Sequence, residues 1–313
     1  MVSDQSPATS YELPATAQPW TILLYYKYTP IELAQKFAYD HLKLCKELGL
    51  KGRILVADEG INGTVGGPKE ITDKYIRIMH ADKRFADMEF KISEGSVGSF
   101  KKMFVRYRPE LVTLAIKDPN DPAATINPNV DGGTYLEPEE LKKMYDRNED
   151  FVIIDMRNGY EAKIGKFKNA VTLPMRVFKE LPKLVEDLKK YQDRKVVTYC
   201  TGGIRCEKAS ALLKKRGFKN VYQLHGGVAV YGQKFPDDYW EGKLFVFDER
   251  MAVPINSPNH KKVIAECLHC GKPEDNYINC TNAKCNKLIL LCPDCRLKWN
   301  NGCSEECKAR PRK

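Results

Sequence analysis

The sequence predicts a multidomain chain of mixed α/β and α+β class. It should hold an N-terminal βαββαβ sandwich, a central parallel-sheet α/β domain and a C-terminal cysteine-rich, zinc-binding segment. Three observations predict this. At 313 residues the chain exceeds one ordinary core and suits two or three domains. The order of apolar runs changes near residue 135, after a stretch rich in Pro, Asn, Asp and Gly. Of eleven cysteines, eight fall between Cys267 and Cys307.

The opening MVSDQSPATSYELPATAQPW has no basic n-region and no apolar h-region, so residues 1–17 read as a disordered leader and not a signal peptide. No run of about 18 apolar residues exists, which excludes a membrane span and points to a cytoplasmic protein. Hydrophobic content of 42% and charged content of 29% fit a soluble globular chain. A formal net charge of +10, spread along the chain, points to a polyanionic partner such as nucleic acid.

WTILLYYKY at 20–28 reads as a strand and IELAQKFAYDHLKLCKELGL as a helix that follows Pro30. Cys45 lies alone in that helix and reads as a core residue. RILVAD is a strand, EGINGTVGG a glycine-rich turn with a short return strand, and PKEITDKYIRIMHAD a second helix opened by proline. MEFKISE and FKKMFVRYR complete a split βαβ, ferredoxin-like sandwich over 18–115. Residues 116–134 read as a linker. From 135 to 240, FVIIDMR, AVTLP, KVVTYC and VYQLHGG read as strands. EPEELKKMYDR, RVFKELPKLVEDLKKY and EKASALLKKRGF read as helices, the last capped by Gly217. Apolar strands alternating with helices imply a parallel sheet covered on both faces. Residues 241–264 form a connector, and 265–313 are too short to fold without a staple.

The chemistry concentrates at Cys200. It ends a central strand, and Thr201, Gly202, Gly203, Ile204, Arg205 and Cys206 lead into a helix. Amides at a helix N-terminus lack intrahelical partners and carry the positive end of the dipole. Two glycines let such amides curl into an anion cradle. The cradle and the Arg205 charge would acidify the Cys200 thiol and hold a charged sulfur species. The spacing C-x₄-R makes a tighter ring than the C-x₅-R of dual-specificity phosphatases, favouring sulfur over phosphate. Cys206 is either a half-buried helix residue or a partner able to reseal an oxidised Cys200 as a disulfide. His80-Ala81-Asp82 matches the H-x-D part of an iron site but sits at a helix end. EGINGTVGG lacks G-x-G-x-x-G spacing, which leaves a hairpin or an RNA-contacting loop. No flavin, NAD or haem motif is present.

In the tail, Cys267-x₂-Cys270, Cys280-x₄-Cys285, Cys292-x₂-Cys295 and Cys303-x₃-Cys307 supply eight thiols, enough for two tetrahedral Cys₄ zinc sites. The pairing is open, sequential or interleaved, and His269 is not counted as a ligand. Lys284, Lys287, Arg296, Lys298, Trp299 and the terminal ARPRK surround these cysteines. They read as a single-stranded RNA surface or as ordinary solvated charge.

Asp155, Arg157, Tyr160 and Glu161, followed by Gly165, Asn169, Ala170 and Pro174, resemble the rhodanese segment D-x-R-x-x-x-E…G…A…P over about 110 residues. Lys166 stands where many rhodaneses carry histidine. That resemblance implies a persulfide on Cys200. The longer string CTGGIRCEKAS, with EGINGTVGG and the cysteine-rich tail, resembles the bacterial tRNA uridine(34) hydroxylase family over nearly the whole chain after residue 18. The resemblance implies oxygen-dependent conversion of uridine 34 in the tRNA anticodon loop to 5-hydroxyuridine. O2 is then the co-substrate and Cys200 the essential residue. Two alternatives stand beside it: a persulfide sulfurtransferase drawing on a sulfur donor, and a non-enzymatic, zinc-dependent RNA-binding protein.

Overall fold

The computed structural model describes residues 19–310. The proposed leader at 1–17 and the last three residues of ARPRK therefore lie outside the described residues. The first domain runs β1 (Trp20–Tyr28), α1 (Ala34–Glu47), β2 (Lys51–Ala57), β3 (Gly60–Pro68), α2 (Lys69–Ala81) and β4 (Phe90–Gly95), with β5 (Met103–Tyr107) added. Its sheet order is β4-β1-β3-β2-β5, antiparallel except for the β2–β5 pair. Strand alternation sends Leu23, Tyr25, Ile54, Val56, Ile61 and Val65 to one face, where they pack with Cys45, Tyr75 and Met79 of the two helices. Burial pushes the Cys45 thiol up to about 12, as suits a core cysteine.

Two local expectations shift. Helix α1 starts at Ala34, because Leu33 before it holds a left-handed conformation at φ 51°. The glycines of EGINGTVGG are not a turn. They lie in the nine-residue β3, and the chain reverses at Asp58 and Glu59. Gly63 is under the Tyr25 ring, where a Cβ would come within 2.3 Å of it, so the strand uses glycine to admit a neighbour's aromatic.

After α3 (Pro128–Asp131), the central domain comprises β6 (Thr134–Leu136), α4 (Pro138–Asp146), β7 (Val152–Asp155), α5 (Gly159–Ile164), β8 (Gly165–Phe167), β9 (Val171–Thr172), α6 (Leu181–Leu184), β10 (Lys195–Tyr199), α7 (Ile204–Lys215), β11 (Asn220–Leu224) and α8 (Gly227–Lys234). Five strands form a parallel sheet of order β6-β11-β10-β7-β9, with an apolar cluster on each face. The helix expected over 176–191 is broken. Short 3₁₀ turns at Phe178–Glu180 and Glu186–Tyr191 flank α6, whose first turn holds Pro182. Proline lacks the N–H needed to continue the preceding turn. The stretch expected as a linker packs Ile116, Ala123 and Ile126 on this core, and Asp121 forks with Arg216 at 2.6 and 2.7 Å.

Beyond it, β12 (Trp240–Phe245) and β13 (Ala252–Pro254) join β8 in a small antiparallel sheet. The tail carries the hairpin β14 (Tyr277–Asn279) and β15 (Leu288–Leu290), then α9 (Pro293–Lys298) and α10 (Glu305–Lys308). No described helix is long and apolar enough to cross a membrane. The helix-free face of the first sheet, through Leu24 and Tyr26, covers the loop at the carboxyl end of β10. That arrangement builds the site.

Candidate active site and metal centres

Cys200 follows β10 directly and is 1% exposed. The chain then folds under it. Gly203, at φ 107°, turns its N–H to donate to the Cys200 Sγ at 3.2 Å. Amides at the start of α8 hold the loop from behind: Val228 N–H donates to the Cys200 carbonyl and Ala229 N–H to that of Thr201, at 3.0 and 2.9 Å. Gly227 permits this approach, since a Cβ there would lie 2.5 Å from the Cys200 carbonyl oxygen. Burial works to raise the Cys200 pKa. The Cys206 hydrogen bond, the Arg205 charge and the amides of Arg205 and Gly203 together outweigh it, so the thiol is held below its ordinary value. Cys206, 1% exposed in the first turn of α7, moves the opposite way because of burial and the adjacent Cys200 sulfur. Thr201 to Cys206 form the segment between β10 and α7 beside the sulfur, with Ile204 packed into the neighbouring cores.

Arg205 is not a free cation. Its guanidinium donates to both Glu161 carboxylate oxygens at 2.6 and 2.8 Å, with Glu161 fully buried. Asp155 and Arg157 form a second buried fork at 2.9 and 2.6 Å. Arg157 also donates to the Gly165 carbonyl and Tyr199 to Asp155, at 2.6 and 2.7 Å. Arg205 also lies 3.4 Å from the Thr201 hydroxyl, so this buried network braces the loop while its charge reaches the sulfur. The H-x-D pair is committed too: His80 Nε2 meets the Met88 carbonyl at 2.9 Å and Asp82 forks with Arg84.

A roof over the loop escaped sequence reasoning. A Cβ on Gly202 would lie 2.9 Å from Leu24, and one on Gly203 would lie 2.8 Å from the Tyr26 hydroxyl, so two glycines let β1 settle on the loop. Tyr26 donates to Glu207 at 2.7 Å, and Tyr135 and Gln223 bind the same carboxylate at 2.8 and 2.9 Å. Lys208, 5% exposed at its side chain, bridges Glu59 of the β2–β3 turn and Glu110 at 2.8 and 3.2 Å. Glu207 and Lys208, the EK of CTGGIRCEKAS, therefore latch the two domains. A sulfur at the end of a parallel strand, acidified and roofed against water, can act as a nucleophile on a substrate that reaches it between the domains.

The tail cysteines gather as two interleaved sets, Cys267, Cys270, Cys292 and Cys295, and Cys280, Cys285, Cys303 and Cys307. Within each set the sulfurs lie within 4.8 Å of one another. Sulfur pairs Cys270–Cys292, Cys285–Cys303 and Cys303–Cys307 stand at 3.6, 3.7 and 3.6 Å. A tetrahedron with metal–sulfur bonds of about 2.3 Å has edges of about 3.8 Å, so the donor sets fit such an ion. Each set could hold a metal ion. Trp299 is not an open stacking platform: His269 stacks on it at 3.7 Å and the Lys308 ammonium lies 5.5 Å from its centroid. Arg296 is spent on the carbonyls of Leu291 and Asn276 at 2.7 and 3.1 Å. Lys284, Lys287 and Lys298 are exposed, and Tyr277 anchors the tail by donating to the Tyr160 carbonyl at 2.8 Å.

Comparison with known proteins covers all three parts. Residues 20–111 match the UPF0176 acylphosphatase-like domain, 137–234 the rhodanese-like domain and 241–308 the domain described as Rhodanase C-terminal. A Bacillus licheniformis protein named tRNA uridine(34) hydroxylase is 47% identical over 296 residues, 94% of this chain and 89% of its own length. A Streptococcus sanguinis protein of the same name is 49% identical, over 93% and 89%. Among solved structures, the rhodanese-like domain of an Anabaena protein is 25% identical over 34% of this chain and 78% of its own, with a TM-score of 0.30.

Proposed function

The chain belongs to the tRNA uridine(34) hydroxylase family, and from that premise we propose that it converts uridine 34 of the tRNA anticodon loop to 5-hydroxyuridine, with O2 as co-substrate and Cys200 as nucleophile. The observation that carries this reading is the acidified Cys200 sulfur in a loop roofed by Leu24 and Tyr26 of the first domain's sheet, beside a cavity that Thr201 lines. An anticodon base is already unpaired, so extruding it costs little.

The chemistry balances as follows. The Cys200 thiolate adds to C6 of uracil, which makes C5 the nucleophilic carbon of an enolate. C5 takes one oxygen atom of O2. The other leaves as water, with two electrons and two protons from a pair of external thiols that become a disulfide. Loss of the C5 proton and expulsion of the Cys200 thiolate restore the aromatic ring. Cys206 keeps its proton and donates to the Cys200 sulfur in the resting state, and this neighbouring thiol would seal an oxidised Cys200 as a disulfide. Zinc is the ion that four-thiolate sites of this geometry favour, and a zinc in each set would cross-link the tail with no open coordination position. The reaction belongs in the cytoplasm, where the tRNA pool is.

Labelling with ¹⁸O₂ tests the oxygen source. Cells dependent on this protein, grown briefly under ¹⁸O₂, should yield 5-hydroxyuridine carrying the heavy isotope. Label entering only from H₂¹⁸O would refute an O2 co-substrate.

A further inference from the structure

Between the open face of the first sheet and the β12–β13 side of the central domain lies a cavity of about 500 Å³. Leu24, Thr64, Lys91, Thr201, Phe247 and Arg250 are among its lining residues. Thr201 is the residue next to Cys200, so the cavity adjoins the sulfur loop. Arg250 is already occupied, forking with Asp248 at 2.9 and 2.6 Å and donating to the Glu94 carbonyl at 2.9 Å. Lys91 is not. It is 9% exposed, and among the described residues no hydrogen bond or ion pair reaches its ammonium. Its nearest support is the Tyr26 ring, 5.2 Å away at the centroid, whose hydroxyl stands over Gly203. A buried ammonium without an acceptor is costly unless a ligand supplies one.

The sheet register extends the cavity's lining outward. Lys91 pairs across to Leu24, Leu24 to Thr64, Thr64 to Arg53 and Arg53 to Phe104. This row runs along one face from the buried cavity to the exposed β5 edge. There Arg53 is exposed, Phe104 is 39% exposed and the Arg106 guanidinium lies 5.2 Å from the Phe104 centroid. Cations beside a bare aromatic ring suit a single-stranded nucleic acid, which would lead one base inward along the row.

We infer that this cavity is the receptor for the target uracil and that Lys91 is its specificity-determining residue, donating to the pyrimidine 4-carbonyl. Cytosine offers an amino group at the same place, which would leave the ammonium unpaired, so the cavity discriminates uracil from cytosine. A threonine hydroxyl, Thr64 or Thr201, can accept from the uracil N3–H because it both donates and accepts. Burial lowers the Lys91 pKa, and the charges of Glu89, Cys200 and Glu207 oppose that loss. The inference rests on the uridine reading above.

The test is binding, so it does not depend on turnover. Anticodon stem-loop RNAs differing only in U or C at position 34 are titrated into wild-type protein and Lys91→Met. Wild type should prefer U by roughly tenfold or more, the scale of a charge-assisted hydrogen bond left unmade. Lys91→Met should bind the two RNAs equally, and Lys91→Arg should keep part of the preference. Failure of wild type to bind or to discriminate overturns the inference, as does a preference that survives in Lys91→Met. Photocrosslinking wild-type protein to a stem-loop with 5-iodouridine at 34 needs no variant: adducts on Phe247 or its neighbours lining the cavity support it, and adducts confined elsewhere overturn it. Normal 5-hydroxyuridine production beside a failed titration would sink the cavity alone, whereas its absence beside a positive titration would sink the hydroxylation reading alone.

Discussion

Substituting Arg205 by methionine probes stability and thiol chemistry together. The guanidinium meets Glu161 at 2.6 and 2.8 Å, with the Arg205 side chain 11% exposed and that of Glu161 fully buried. Methionine keeps the apolar stem and removes the charge, so the Glu161 carboxylate is stranded in the interior. Breaking a buried pair from one side costs about 3–5 kcal/mol. That is a large share of a stability of about 5–15 kcal/mol. The Cys200 pKa should rise at the same time, because the Arg205 charge, one of the influences that lower it, is gone. Adding Glu161→Gln removes that stranded charge, and glutamine can still accept the Asn158 N–H, now at 3.0 Å. The double variant should regain most of the stability while its thiol stays less acidic than wild type. Urea unfolding reads the first quantity. The pH dependence of Cys200 alkylation, followed by peptide mass spectrometry, reads the second. A loss below about 1 kcal/mol in Arg205→Met, or an unchanged alkylation midpoint, would refute the reasoning.

Because Cys200 is more acidic folded than unfolded, its thiolate stabilises the fold above the unfolded thiol's pKa of about 8.5, and that contribution is lost as pH falls through the lower folded value. Replacing Cys206 by alanine removes a hydrogen bond to the sulfur and should move the alkylation midpoint up. Lys208→Met leaves Glu59 and Glu110 facing each other. Both are partly exposed, so roughly 1–3 kcal/mol is expected, seen as faster hydrogen exchange at 108–116, and Glu59→Gln in the same chain should recover part of it. Gly203→Ala forces a side chain into φ 107° and against the Tyr26 hydroxyl. It should cost about 1–3 kcal/mol and increase Cys200 access to alkylating reagents. Chelation, or Cys295→Ser, should release bound metal from a starting value near two ions per chain, melt the tail at lower temperature and raise hydrogen exchange at Tyr160, where Tyr277 docks.

The thiol loop was legible because its signals are local: an apolar strand, a thiol, two glycines and a helix occur within a dozen residues. The cysteine spacing was equally local, but the interleaving of the pairs was not, since it depends on how β14 and β15 bring distant knuckles together. The roof was invisible for the same reason. Tyr26 and Lys91 stand more than a hundred residues before Cys200, and only the sheet register puts them over it. Glu207 and Lys208 look like a solvated pair at the start of a helix, yet both are about 4% exposed, because Tyr26, Glu59 and Glu110 reach them from another domain and Tyr135 and Gln223 from distant strands of their own. Helix α8 was missed because Gly226 and Gly227, at φ 68° and 64°, read as the end of a strand and not as the start of a helix. The broken helix at 176–191 reflects Pro182, whose position was seen but whose effect depends on the turn before it.

The central claim is that Cys200 carries tRNA hydroxylation. Nucleoside mass spectrometry of tRNA from a strain lacking the gene and any redundant route to 5-hydroxyuridine, complemented by wild type or by Cys200→Ser at matched protein levels, tests it most directly. Wild type should restore 5-hydroxyuridine and its derivatives, and Cys200→Ser should restore none. Full restoration by Cys200→Ser would contradict the account.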